Sequence, residues 1–586
     1  MFRIAIACLV FVLSGPPLAS ASVAQELPPF SRWLPPESPV VIEVSQPLAL
    51  LEPLLTPEAA KAAACLPVDE AGKLKLQQFQ GMIAYLELQL GTDWRAALRQ
   101  LLGRGLTLAI EPGGGVLLCV DAQDEKLPAQ LHEVFRKFVN GEAAKQGRAE
   151  PVKSRSCRGA TVWTFGTNEE HVLLGRRLVL ANRPRVMDRV LDSRAEAKGG
   201  GLSTAPFYQA ARQAMGQEAA AMIYLDLAKL RQNPKLKRAL AEDSNPLGTL
   251  LLADTKEALR QGNWLAVGLL VKNGTLTLKL ATDGQAAAAS KSANFATPRA
   301  DEGLLPQLRP PGRIAGLSLY RDLRQFYAAK DELFPERTSG LVFFENMMGI
   351  FFSGIELTDG VLGEMRPEVR VVVAEQRYDP AIGTPAVQMP AFAAVLRLRH
   401  PEKFGETVEE AWQKALGLAN FTRGQNALPG LIIDRASCSD VKYTFSYYRP
   451  PADTNKTTVD TRYNYRPSLA RPGDYVILSS TDGLARDLIA ELNQESANAP
   501  KPDASRHTLA EVDGAPLRAI LLANQEHLVQ KNMLEKGHTR QQAEHEVSML
   551  LTLLDCLDRA ALALGREYAQ PSATLELKLK WPTASR

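Results

Sequence analysis

Thr275-Leu276-Thr277-Leu278-Lys279-Leu280 returns near the other end of the chain as Thr574-Leu575-Glu576-Leu577-Lys578-Leu579. In both stretches leucine alternates with a polar residue, the period-two pattern of a strand with one buried face. Many half-buried strands read this way, so the decision rests on what precedes each copy. The preceding segments correspond in the same order. The chain therefore reads as two diverged tandem repeats, each closed by this strand.

Working outward, one copy opens with Leu34-Pro35-Pro36-Glu37-Ser38-Pro39 before a strand at 40–44, the other with Leu308-Arg309-Pro310-Pro311-Gly312 before a strand at 314–319. Proline holds the backbone extended and stops an earlier helix from running on. Gly91-Thr92-Asp93-Trp94 leads a helix through Leu98, Leu101 and Leu102, and a hairpin follows at 106–120 around Gly113-Gly114-Gly115. Its counterpart is 354–364, then strands at 369–374 and 392–398. Leu127, Leu131 and Phe135 make one helical stripe, as do Phe404, Val408 and Trp412. Strand 160–165 answers 441–445, with Thr164-Phe165 set against Thr444-Phe445, and strand 222–227 is matched with 519–522. Strand pairs on short turns, mixed with helices, predict an α+β fold: two repeats, each a mainly antiparallel sheet with helices packed on one face. The expected boundaries are 25–282 for the first unit, an Ala/Ser-rich linker at 283–302, and 303–586 for the second.

The proline-rich opening, then Gly91-Thr92-Asp93 and a short amphipathic helix ending at Leu102-Gly103 before an apolar strand, resembles a family of exported bacterial proteins of unknown function. The resemblance is carried mainly by the first half. In the second half Glu356 stands in place of Asp93, and Arg366-Pro367 in place of Gly103-Arg104. It implies a fold style and export, and supplies no catalytic residue.

Residues 1–24 read as a signal peptide. Arg3 gives the positive start, residues 4–13 the apolar run, and Ala19-Ser20-Ala21 or Ser22-Val23-Ala24 the cleavage site. The run is shorter than the roughly 20 residues a membrane span requires. The mature protein is thus expected in the periplasm or outside the cell, with no transmembrane span.

At 586 residues, 45% hydrophobic and 23% charged, the chain is a globular protein of more than one domain. A net charge of +3 gives no electrostatic case for nucleic acid. Cys65, Cys119, Cys157, Cys438 and Cys556 are odd in number and scattered, which describes neither a disulfide framework nor a zinc site; a single Cys119–Cys157 bridge stays open. No phosphate loop and no Gly-x-Ser-x-Gly occurs. His538 and His545, read on one helix, lie about 10 Å apart along its axis, and Met549 occupies the second histidine position of a zinc-protease motif. Residues 453–460 lack the glycine and terminal glutamate of a calcium loop. Neither metal nor cofactor is expected.

Two segments stand out. Residues 341–355 carry Phe343, Phe344, Met347, Met348, Ile350, Phe351 and Phe352, and read either as a buried helix or as an exposed apolar face for lipid or a partner. Residues about 446–470 insert into the second unit, because Phe165 connects to His171 almost directly in the first. Within and beside this insertion Tyr447, Tyr448, Arg449, Arg462, Tyr463, Tyr465 and Arg466 form the candidate binding surface. They read either as a solvated hairpin with cross-strand tyrosine pairs or as a recognition surface, the aromatic faces also suiting sugars. The preferred function is a non-enzymatic protein that binds or scaffolds an envelope or extracellular protein or glycan. The alternatives are a hydrolase with a dispersed active site at the junction of the units, and a lipid-associated protein acting through 341–355.

Overall fold

The computed structural model describes residues 27–52, 81, 83–145, 152–165, 168–196, 201–234, 246–252, 255–283, 295–299, 301–450, 458–567 and 570–580. The signal at 1–24, Cys65, most of the 283–302 linker and residues 453–457 lie outside them. The chain divides into two compact units, one within 1–241 and 261–283, the other within 242–260 and 284–580. Helix Pro246–Leu252 groups with the second unit, although the sequence boundaries place it in the first. The reason is local: the buried Arg321 guanidinium donates to the carbonyls of Leu250 and Leu251.

The first unit holds β1 (Val40–Val44), β2 (Gly105–Ile110), β3 (Val116–Asp121), β4 (Lys153–Cys157), β5 (Ala160–Thr164), β6 (Glu170–Leu174), β7 (Arg177–Ala181), β8 (Ala221–Asp226), β9 (Trp264–Lys272) and β10 (Thr275–Thr282). They pair antiparallel throughout, in the order β4-β5-β6-β7-β3-β2-β1-β8-β9-β10. The second unit holds β11 (Arg313–Tyr320), β12 (Met365–Ala374), β13 (Ala391–Leu398), β14 (Ile432–Cys438), β15 (Val441–Tyr447), β16 (Ser468–Ala470), β17 (Tyr475–Ser479), β18 (Arg506–Asp513), β19 (Leu557–Glu567) and β20 (Gln570–Leu579). These too are antiparallel, ordered β14-β15-β16-β17-β13-β12-β11-β18-β19-β20. Counted from the start of each unit, both orders read 4-5-6-7-3-2-1-8-9-10. A separate two-residue pair, Thr384–Pro385 with Thr458–Val459, is parallel; the fold is α+β with mainly antiparallel sheets.

Helices lie on both faces of each sheet, not on one. In β3, Leu117, Leu118, Cys119 and Val120 are all buried, so neither face is left to water. Leu117 and Cys119 share a core with Val186, Met187 and Leu191 of α3 (Pro184–Ala195) and Tyr208 of α4 (Pro206–Met215). Leu118 and Val120 pack with Leu98 and Leu102 of α1 (Trp94–Leu102). The opposite faces of the second sheet meet α7 (Asp482–Ala497), through Leu484, Leu488, Ile489 and Leu492, and α6 (Pro401–Gln425), through Phe404 and Ala411. Each of these α7 side chains is almost fully buried and contributes roughly 1.5–3 kcal/mol.

Two local readings need correction. Residues 519–522 belong to helix α8 (Gly514–Ala523), and the strand before it is β18. A four-residue apolar run does not by itself separate strand from helix. His538 and His545 do not share a helix. Gly537, at φ +68°, ends α9 (Gln525–Lys536), and the Thr539/Gln542 capping box starts α10 (Arg540–Asp555), which leaves His538 in the connection.

Candidate functional site

Strands β5 and β6 are joined by residues 165–169, whereas β15 and β16 are joined by 448–467. The described part of that longer connection is pinned from inside. The fully buried Asn464 accepts from the Tyr378 hydroxyl and the Met389 amide, and donates to the carbonyls of Val387 and Thr461. Asp460 caps the short turn Thr461–Asn464 by accepting from the Arg462 amide. Residues 460–464 are therefore anchored to the 378–389 segment.

Five of the seven candidate residues fall into two stacks, and Arg449 and Tyr465 into neither. In one, the Arg466 guanidinium carbon lies 5.4 Å from the Phe445 ring centre and 5.6 Å from that of Tyr447, and Arg466 Nε is 3.0 Å from Asp482. In the other, Arg462 lies 5.7 Å from the Tyr448 ring and 5.1 Å from the Tyr463 ring, which meet edge to face at 6.4 Å. Arg423 of α6, which the sequence did not single out, lies 4.8 Å from the same Tyr448 ring. The Tyr463 hydroxyl donates to the Arg449 carbonyl at 2.8 Å. Arg449 is exposed; Tyr447, Tyr448, Arg462, Tyr463, Tyr465 and Arg466 are half-buried. Guanidiniums thus already stand over the rings of Tyr447, Tyr448 and Tyr463, worth about 0.5–1 kcal/mol each at such exposure, and a sugar ring would have to displace them.

The apolar segment 341–355 forms the greater part of α5 (Thr338–Phe351) and the turn after it. Its inner side, Leu341, Met348 and Phe351, packs on the core of Leu357, Phe404 and Val476. Its outer side is also apolar. Phe343 and Ile350 are 70% exposed, Val342 47% and Phe344 40%. Ser339, Val342, Phe343, Asn346 and Ile350 follow helical spacing, and no charged side chain interrupts them. Glu345 is turned aside, with Lys330 Nζ 3.3 Å away.

Buried charge is mostly matched within each unit. Glu511 accepts from Arg309, Arg313 and Arg559, Glu495 takes both terminal nitrogens of Arg370, and Glu43 takes the Tyr208 hydroxyl and Arg212. Glu111 differs: it is buried, its carboxyl is pushed up by burial, and Arg189 stands 3.1 Å away. The first unit also buries a cluster that sequence reasoning missed. The rings of His132, on α2 (Lys126–Lys145), and His171, on β6, lie 5.1 Å apart with Trp163 and Phe165 against them. Neither Nε2 has a hydrogen-bond partner among the described residues. Burial drives the His171 pKa down to about 3 and lowers that of His132. The signal lay in α2, where His132, Val139 and Ala143 are buried with Leu127 while Phe135 of the expected stripe is 44% exposed.

Near the far end of the same strands, Trp33, Asp124, Glu125, Trp163, Arg176 and Arg194 line an open cleft of about 760 Å³. Among the described residues no group of three or more His, Cys, Asp or Glu could hold a metal ion. Cys119, Cys157, Cys438 and Cys556 are in no disulfide. No helix of the described residues is long and apolar enough to cross a membrane.

No family model matches the chain, and no curated protein does. Two solved structures, crystal forms I and III of TP0453, are 8% and 9% identical to it. Each match covers 44% of this chain and 79% or 80% of the other, with TM-scores of 0.21 and 0.20. Values this low say nothing about what this chain does.

Proposed function

We propose that this is an exported, non-enzymatic binding protein made of two diverged copies of one ten-stranded unit, which associates with lipid through the outer face of α5. The duplication is supported by the identical strand orders and by the paired openings and closing strands of the sequence. Export rests on residues 1–24.

One observation carries the lipid reading: a predominantly apolar helix keeps four large apolar side chains 40–70% exposed. A helix apolar all round is normally enclosed, and an exposed apolar patch marks an interaction site. The chemistry of the stripe selects the occupant. It offers no Tyr, Trp or Arg, the residues that dominate protein–protein hot spots. Acyl chains need no hydrogen bonds and match it. A helix of this length lies in the interface without spanning. Removing Phe343 and Ile350 from water is worth roughly 1–2 kcal/mol each, which gives weak, reversible association.

Flotation with phosphatidylcholine vesicles tests this. The intact protein should float, and the Phe343→Asp/Ile350→Asp variant should stay at the bottom with an unchanged circular dichroism spectrum. An intact protein that fails to float ends the reading.

A second reading, an envelope protein or glycan held by the Tyr/Arg segment, is favoured by exposed Arg449 beside the stacked Tyr448, Arg462 and Tyr463. Deleting 450–466 and comparing partners captured from the native envelope would test it. Loss of a partner with retained folding supports it, and an unchanged set removes it.

A further inference from the structure

Surface charge in the second unit is generally balanced close by. Glu409 faces Arg435 and Arg471, and Asp482 faces Arg466 and Arg486. The surroundings of Tyr448 depart from this. Arg423 and Arg462 both stand over its ring, and the Tyr463 hydroxyl holds the backbone of Arg449 beside it. Among the described residues the one carboxylate that pairs with these arginines is Asp460, at 4.0 Å from Arg462 Nε. Arg423 commits only its Nε, to the Pro429 carbonyl. Among the described residues no carboxylate pairs with Arg423 or Arg449. A position at the C-terminal end of α6 favours Arg423 there, through the helix dipole; it does not account for Arg462 at the same ring.

Two cations at one ring repel one another, a cost that their attraction to the ring offsets in part. Stacking occupies the flat face of a guanidinium and leaves its in-plane N–H donors for an acceptor. Such a planar fork fits phosphate oxygens two at a time. Arg423 and Arg462 at one ring, with Arg449 next along the chain from Tyr448, outnumber the one carboxylate that pairs with them among the described residues, which suits a phosphoryl dianion.

We propose that Arg423, Arg449 and Arg462, held by Tyr448 and Tyr463, form a binding site for a phosphoryl group. The site is separate from the outer face of α5 and does not rest on the lipid reading. The phosphoryl group belongs either to a lipid headgroup or to a soluble phosphoester, and the two sources are separated by the probe.

The test uses the full mature chain, titrated calorimetrically with pyrophosphate at low and at physiological salt. In parallel it is floated with phosphatidylcholine vesicles with and without phosphatidic acid. We expect saturable binding that weakens with salt and falls at least tenfold in Arg423→Gln and Arg462→Gln. Arg462→Lys, which keeps the charge and loses the fork, should fall in between. Arg449→Gln removes an exposed side chain and keeps the test valid if the stacked variants lose their fold. Binding of pyrophosphate alone identifies a soluble phosphoester, and gain on phosphatidic acid alone identifies a headgroup. The Phe343→Asp/Ile350→Asp variant should retain the arginine-dependent binding. If the intact protein binds neither probe, or if Arg423→Gln and Arg449→Gln leave binding unchanged, the proposal is overturned.

Discussion

The two units share a strand order and fill their interiors differently. Around β5 and β6 the first unit closes its sheet with neutral aromatic rings, His132, Trp163, Phe165 and His171. The corresponding layer of the second unit holds Leu469, Val476 and Phe404. Beside β11 and β18 the second unit instead buries an ionic network, in which Arg313 and Glu511 are both nearly inaccessible. In the first unit buried charge is held in separate pairs: Glu43 of β1 against Tyr208 and Arg212, Arg177 of β7 against Asp121, and Glu170 of β6 against Arg155. One topology thus accepts buried charge as separate pairs or as one network, provided each buried charge keeps its partner.

The largest effect that would break this contrast is Glu511→Ala. It leaves the buried Arg313 with fewer partners and should cost about 3–5 kcal/mol in denaturant unfolding of the second unit. A loss below about 1 kcal/mol would mean that the network is solvated and the contrast false.

Acid should separate the units next. Burial lowers His171 to about 3, below the ordinary histidine range, so the folded first unit binds fewer protons than its unfolded chain. Its stabilising contribution is complete above about pH 6.5. It is lost as pH falls from there towards 3, by about 1.4 kcal/mol per pH unit. His171→Leu should flatten that slope, as read by thermal melts between pH 4 and 7. An unchanged slope would place the acid sensitivity elsewhere.

The helix caps sharpen the comparison on a smaller scale. Asp93 accepts from one backbone amide, that of Ala96, and Glu356 accepts from two, those of Thr358 and Asp359. These amides hold Glu356 down at about 2. Asp93→Ala should cost about 1 kcal/mol, and Glu356→Ala should cost more. Equal losses would show that the second amide adds nothing. Smallest of all, Phe343→Asp should change stability by less than about 0.5 kcal/mol, because that side chain already faces water. A larger loss in a melting experiment would mean that Phe343 is packed, and would weaken the lipid reading.

Much of the strand content was legible because alternation and turns are local properties. The openings at 34–39 and 308–312, the hairpin at 113–115 and the closing strands all lie where the pattern put them. Register was not legible. Thr164-Phe165 and Thr444-Phe445 look alike, yet Val162 and Tyr443 each face the core beneath the helix that follows β7 or β17. Thr164 shares the side of Val162, whereas Thr444 lies on the side opposite to Tyr443 and bonds Glu409. A doublet match one residue out of step exchanges the faces of a strand. The stripe of α2 was read through Leu131 and Phe135, and that rotation hid His132.

The candidate surface divides the same way. Composition alone marked the clustered tyrosines and arginines and the apolar run at 341–355. That Arg423, 25 residues before Tyr448 in sequence, stands over its ring depended on how α6 packs. By itself the sequence determined which segments alternate, turn and cap, since those follow from neighbours along the chain. Only the tertiary structure decided which faces are covered, which side of α5 meets water and which guanidiniums share a ring. Those depend on packing between distant segments, where a rotation of one residue exchanges inside for outside.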